Sequence, residues 1–199
     1  MTLFPLFLKL EGRRVLVVGG GPVAASKLAS LRAAGADVLV VAPEVCASIR
    51  ETDVQIAQRP FEDADLDTAW LVVAAATPAV NARVARAAEE RQIFVNAVDD
   101  PANASAYLGG VVRRSGVTLA ISTSGEAPAL AGLLREGLDR LLPADLDRWG
   151  EAARDARRDW KAGQVPMADR RPLLLDALNA IYDRDAALTP AAGRERRSR

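Results

Sequence analysis

The sequence predicts an α/β protein built on a doubly wound parallel sheet, and three observations carry that prediction. A short apolar run, Val15-Leu16-Val17-Val18, stops at Gly19-Gly20-Gly21 and gives way at once to an alanine-rich pattern of helical period. A second apolar run follows at Asp37–Val41, and strand and helix patterns then alternate at short spacing as far as Val98. The runs are nearly continuous in Val and Leu, which suits parallel strands buried on both faces. Together they describe a Rossmann-like sheet.

Each element can be justified in order. Residues 1–12 carry Phe4, Leu6 and Leu8 in an apolar lead-in, expected as an edge strand or extended arm packed on the first strand. Strand one covers 13–18. The helix after the glycines runs to Ala34, with Val23, Lys27, Leu28, Leu31 and Ala34 on helical spacing and Gly35 as the stop. Strand two, Asp37–Val41, ends at Ala42-Pro43-Glu44; a short helix over 44–51 and strand three over 54–57 follow. The acidic stretch 61–67 reads as a short helix or turn. Residues 70–75 form the next strand, closed by Ala76-Thr77-Pro78, then a helix over 80–91 and a strand over 93–98.

After Pro101 the rhythm changes. Two β runs, 104–112 and 117–122, joined by Arg113-Arg114-Ser115-Gly116, predict an antiparallel hairpin. Ser124-Gly125-Glu126-Ala127-Pro128 turns into a helix over 127–142, where Leu130, Leu133, Leu134, Leu138 and Leu141 make an apolar stripe and Pro143 ends it. Residues 144–187 read as helical and charged, with Leu146, Trp149, Ala153 and Trp160 on one face and a later apolar segment over 173–181. The basic end, 194–199, is expected as a disordered, solvated tail. The domain reading is a nucleotide-binding domain over 1–112, a small α+β segment over 113–143 and a helical domain over 144–199.

Composition narrows the chemistry. The chain has 199 residues, 26 cationic and 26 acidic side chains, one cysteine and no histidine. A neutral balance gives no overall steering toward nucleic acid or an anionic membrane, and neither is expected as a partner. A single Cys46 cannot close an intramolecular disulfide, which suits a reducing compartment. Without imidazole, Ser-His-Asp and Cys-His catalysis and His-ligated zinc are excluded. No apolar run is long enough to span a bilayer and no leader pattern is visible, so the expected location is the cytoplasm.

The glycine turn is the first candidate site. Gly19, Gly21 and Ala24 fit G-x-G-x-x-G/A: Gly19 for the turn, Gly21 for close approach of a pyrophosphate, Ala24 for packing of helix on strand. Pro22 opens the helix where its missing N–H costs nothing, and the helix N-terminus favours an anion. A Walker A loop is excluded because no Gly-Lys-Ser/Thr follows. The usual ribose acid at the end of strand two is replaced by Ala42 and Pro43, with Glu44 two residues late. A carboxylate there would repel a 2′-phosphate, so NAD is favoured over NADP; Glu44 as a helix-start acid is the alternative.

Further polar groups sit where strands end. Thr77 is either a cofactor contact or the cap of the next helix. Asn96-Ala97-Val98-Asp99-Asp100-Pro101 is either a turn or the site's acid, and Asp99 is the candidate general base in a chain with no histidine. Ser122-Thr123-Ser124-Gly125-Glu126 is either an anion cradle or capping by Ser124. Asn96, Thr123, Ser124, Arg113 and Arg135 are the candidate substrate contacts, with Arg114 beside them. No metal-ligand set is visible. A short-chain dehydrogenase is excluded, since neither Tyr107 nor Tyr182 has a lysine four residues on. A non-catalytic NAD- or tetrapyrrole-binding sensor or carrier is the alternative to an enzyme.

With these motifs in view, the chain resembles the precorrin-2 dehydrogenase/sirohydrochlorin ferrochelatase family of siroheme synthesis. The resemblance covers residues 3–142. It rests on Leu3-Phe4-Pro5-Leu6-Phe7, Val17-Val18-Gly19-Gly20-Gly21-Pro22-Val23-Ala24, Ala74-Ala75-Ala76-Thr77 and Asn96-Ala97-Val98-Asp99. It continues in Ser122-Thr123-Ser124-Gly125-Glu126-Ala127-Pro128-Ala129-Leu130-Ala131 and Leu133-Leu134-Arg135-Glu136. It implies NAD-dependent oxidation of precorrin-2 to sirohydrochlorin and, in some members, insertion of ferrous iron to give siroheme. It also implies a homodimer formed through the segment after the nucleotide domain. Asp99 matches the family's catalytic aspartate, Pro22-Val23 and Pro43-Glu44 its cofactor-contacting pairs, and Thr123 a position where some members carry a functional serine. The family too lacks the usual ribose acid. Glu126 and Ala127 depart from the Thr, Ser or Lys common in relatives, and residues from about 144 onward match no family motif. No methyltransferase module follows, so the chain is not expected to make precorrin-2 itself.

Overall fold

A computed structural model describes residues 3–188 and, of their side chains, those up to 183. The expected tail, 194–199, lies outside the described residues. Five parallel strands form one sheet in the order β3-β2-β1-β4-β5: β1 Arg14–Val18, β2 Asp37–Val41, β3 Gln55–Ala57, β4 Leu71–Ala74 and β5 Phe94–Ala97. The helices between them are α1 Pro22–Ala33, α2 Ala47–Arg50 and α3 Pro78–Glu89. The strand order reverses between β1 and β4, the switch point at which doubly wound sheets open a crevice.

The alternation of β1 shows why both faces need cover. Val15 and Val17 pack with Ala24, Leu28 and Leu31 of α1, together with Val38, Val40 and Ile49. Leu16 and Val18 point the other way, among Leu66, Val72, Val84, Ala88 and Val95. A side-chain period of two sends neighbours to opposite faces, so an all-apolar strand requires two layers of helix. Fully burying one such side chain contributes about 1.5–3 kcal/mol.

Residues 121–132 belong with this sheet unit, and contacts divide the described chain into residues 3–110 with 121–132 and residues 111–120 with those from 133 on. In the second unit, α5 Leu146–Ala162 packs on α6 Met167–Leu188, with Leu146 and Ile181 buried. The Trp149 indole N–H donates to the Tyr182 hydroxyl at 2.6 Å. Arg114 donates to the Leu142 carbonyl at 2.8 Å and to Asp139 at 2.9 Å, fastening its strand to the end of α4 Pro128–Leu141.

Several expectations need correction. Residues 3–10 form no strand and do not pack as a lead-in: Phe4, Leu6, Phe7 and Leu8 are exposed and only Leu10 is buried. No sheet strand pairs with this segment, and Pro5 has no N–H to offer one. The helix expected over 44–51 shrinks to α2, because Glu44 and Cys46 are held against the glycine turn. The strand expected over 104–112 is only β6 Gly110–Arg114. Ser105 and Ala106 instead donate their N–H groups to the Val95 carbonyl, and the Ser105 hydroxyl oxygen accepts the Val95 N–H. Arg113 and Arg114 therefore lie within β6. The turn to β7 Val117–Ile121 is Ser115-Gly116, both at positive φ as a two-residue hairpin requires.

Leu16→Ala should lower the unfolding free energy by about 3 kcal/mol in urea denaturation, the usual cost of a cavity at a fully buried leucine. A loss of about 1 kcal/mol or less would contradict the two-faced core.

Candidate functional site

The site is built from the carboxyl ends of adjacent strands. Val18 is level with Val41 of β2 and Ala74 of β4, and Ala74 is level with Ala97 of β5. The ladder continues one step further: Gly19 N–H to Val41 carbonyl (3.0 Å), Ala75 N–H to Val18 carbonyl (2.8 Å), Val98 N–H to Ala74 carbonyl (2.9 Å). Gly19, Gly21, Pro22, Val23, Pro43, Glu44, Thr77 and Asp99 all fall within a few residues of that line. The fold thus gathers the candidate cofactor residues and the candidate acid along one edge of the sheet.

The three glycines have three different reasons. Gly19 has φ +126°, and a Cβ there would collide with the Ala75 carbonyl. A Cβ on Gly20 would collide with the Glu44 carbonyl, while the Gly20 carbonyl accepts the Cys46 N–H at 2.8 Å. These two positions let three backbone segments close together. Gly21 has no such neighbour: no atom lies within 4 Å of where its Cβ would be, and its φ of −87° suits any residue. Its bareness leaves room for a ligand.

Behind Gly21 starts α1, with Pro22 in the first turn, no side chain capping it and no acid in that turn. Free N–H groups and a partial positive charge at such an end bind anions, and this cradle fits a pyrophosphate. Pro43 and Glu44 are exposed just past β2. Glu44 does not start a helix, which removes the alternative reading of its charge. Cys46 lies beside this cradle, and a hydrogen bond with the Ser48 hydroxyl (3.2 Å) lowers its thiol pKa.

Thr77 stands at the N-cap of α3, yet its side chain makes no capping bond and the residue is exposed. What holds this loop is Asn81, which sequence reasoning missed; its side-chain oxygen accepts the Ala76 N–H at 2.9 Å. The only signal in the sequence is an asparagine in an alanine-rich helix, where it is a poor helix former.

Asp99 has φ +56° in the turn after β5, and its carboxylate makes no hydrogen bond or ion pair among the described residues. Left-handed backbone is tolerated by aspartate at some cost and concentrates at functional positions. Its neighbour behaves differently: Asp100 accepts from Asn103 Nδ2 at 2.7 Å and serves the turn. Asp99 is exposed.

Asn96 is buried, and its side-chain amide donates to the Ala106 carbonyl at 3.0 Å. The 122–125 turn belongs to the same unit as Asp99. A Cβ on Gly125 would lie 3.1 Å from Pro101 and 3.3 Å from Tyr107, so this turn rests on the segment that follows Asp99. The Thr123 hydroxyl oxygen accepts the Ala127 N–H at 3.3 Å, in the turn just ahead of α4. Ser124 has φ +56° and gives its N–H to the Ser122 hydroxyl oxygen. Arg113 and Arg135 belong to the second unit. Arg113 is exposed with no ion pair among the described residues, and Arg135 bonds Glu136 at 3.3 Å.

Residues 6–110 match the family described as "Putative NAD(P)-binding". The chain is 48% identical over 158 residues to siroheme synthase 1 of Cronobacter sakazakii, covering 77% of this chain and 34% of that protein. It is 39% identical over 187 residues to siroheme synthase of Photorhabdus laumondii, covering 92% and 40%. The chain thus spans between 34% and 40% of the length of these two relatives. A solved structure of SirC, a precorrin-2 dehydrogenase, superposes with a TM-score of 0.68 at 26% identity, covering 87% of this chain and 88% of that one.

The glycines should separate in mutagenesis. Gly19→Ala should cost about 3 kcal/mol of stability, from strained φ and the backbone collision. Gly21→Ala should change stability by less than about 0.5 kcal/mol while weakening dinucleotide affinity about tenfold, or about 1.4 kcal/mol. Equal effects of both on melting temperature would contradict this division.

Proposed function

The chain belongs to the family described as "Putative NAD(P)-binding" and is similar to siroheme synthases and to a precorrin-2 dehydrogenase, and on that premise we propose that it oxidises precorrin-2 to sirohydrochlorin with NAD. The observation that carries this reading is one juxtaposition. An uncapped helix end behind Gly21 and an unpaired Asp99 carboxylate stand at the carboxyl ends of strands in one sheet.

Gly21 and Val23 would hold the pyrophosphate through backbone N–H groups at the start of α1, and Pro22, which has no N–H, would shape the turn. The exposed Glu44 and the adjoining backbone would receive the adenosine ribose, and the carboxylate would disfavour a 2′-phosphate. Thr77, its hydroxyl uncommitted, would meet the cofactor beyond β4. NAD supplies the hydride acceptor when bound. Asp99 accepts the proton that the tetrapyrrole must release as its hydride departs. The free carboxylate has no partner to lose before it does so.

Precorrin-2 carries many carboxylates, for which Arg113 and Arg135 are the proposed partners; Thr123 and Ser124, beside the Asp99 loop, are proposed substrate contacts. Insertion of ferrous iron, as a second substrate, would also release pyrrole protons to a carboxylate. The proposed homodimer is supported by α4. Leu130, Leu133, Leu134 and Leu141 are exposed on it, Leu133 by 67% and Leu141 by 79%, a face that a second subunit would cover. Among the described residues no helix is long and apolar enough to cross a membrane.

Anaerobic incubation with precorrin-2 and NAD should produce sirohydrochlorin absorbance and NADH together, and Asp99→Ala should lower kcat by about 10²–10⁴-fold with NAD affinity retained. Absence of NADH from folded wild-type protein would overturn the assignment, and unchanged turnover in the variant would remove Asp99 from it. In light scattering, Leu133→Glu should convert a dimer to a monomer; a wild-type monomer would overturn the proposed assembly.

A further inference from the structure

Asn81 is one of two buried polar side chains among the described residues, with 4% of its surface exposed, and the mechanism above makes no use of it. Asparagine is a poor choice for a helix whose other residues include Ala79, Ala82, Ala85, Ala87 and Ala88. Its position explains it. Asn81 bonds on both sides of Thr77: its backbone N–H donates to the Thr77 carbonyl at 2.9 Å, and its Oδ1 accepts the Ala76 N–H at 2.9 Å. The first is an ordinary opening helix bond. The second replaces the ladder partner that Ala76 lacks, since the strand register ends with the Ala75 N–H to the Val18 carbonyl.

The consequence reaches the glycine turn. A Cβ on Gly19 would collide with the Ala75 carbonyl and lie 3.2 Å from the Ala76 nitrogen, so the peptide that Asn81 holds is the one against which Gly19 packs. We propose that Asn81 is a positioning residue for the cofactor site. By anchoring the 75–76 peptide against Gly19 it fixes the floor of the glycine turn and presents Thr77, without touching the cofactor. The inference rests on NAD occupying that turn.

The test is NAD affinity by calorimetry together with hydrogen exchange at the Ala76 amide. Wild-type protein that fails to bind NAD refutes the function reading itself. If wild type binds, Asn81→Ala should raise the Kd about tenfold, the order of loss expected when the hydrogen bond that positions this peptide is removed. It should also speed exchange at Ala76. Asn81→Asp, which keeps an acceptor oxygen, should restore the Kd to within about threefold of wild type. An Asn81→Ala protein with a lowered melting temperature but unaltered Kd overturns the proposal, leaving Asn81 a stabilising residue only. If Asn81→Ala does not fold, wild type alone decides: protection of the Ala76 amide without NAD is required, and rapid exchange there refutes the clamp.

Discussion

The proposed ligand-facing edge of this protein depends on contacts between backbones. Gly19 lies against the Ala75 carbonyl and Gly20 against the Glu44 carbonyl, each at a separation that a side chain would forbid. Only because β1, β4 and the segment after β2 close to that distance does α1 begin where its free N–H groups face open space beyond Gly21. The strand register then puts the β5 terminus, and Asp99 with it, along the same edge. A wider spacing at Gly19 would leave the elements intact and the site disassembled.

This constraint also explains what could be read in the chain. The glycine turn was legible because three local signals coincide there: an apolar strand, consecutive glycines and a proline opening a helix. The two-faced sheet was legible because its strands are apolar throughout. The loops after the strands were less so. Glu44 could not be told from a helix-start acid, since what keeps it out of α2 is the Gly20 contact, a feature of tertiary packing. Asn81 gave only the faint signal of an asparagine in an alanine-rich helix for the same reason: its partner, the Ala76 amide, acquires its need only when β4 runs out of ladder. Ser124 and Thr123 are adjacent and chemically alike, and only the folded turn, left-handed at Ser124 and Gly125, shows that it is the Thr123 hydroxyl that takes the Ala127 N–H.

The apolar surface divides in an informative way. The sheet core is closed, with Val15, Leu16, Val17, Val40 and Val73 fully buried. By contrast Phe4 and Phe7 in the leading segment and Leu133 and Leu141 on α4 remain exposed. Periodicity identified α4 as amphipathic but could not say whether its stripe meets this chain or another. Most of the stripe stays open to solvent. The same limit applied to residues 3–10, whose apolar content resembled a strand although no sheet edge receives it.

The most direct test of this account is a crystal structure of the protein with NAD. It should show the pyrophosphate over Gly21 at the start of α1, the adenosine end toward Glu44 and the nicotinamide on the Asp99 side of the crevice. A dinucleotide bound away from the glycine turn, or lying with its nicotinamide at Glu44 and its adenine beside Asp99, would contradict it.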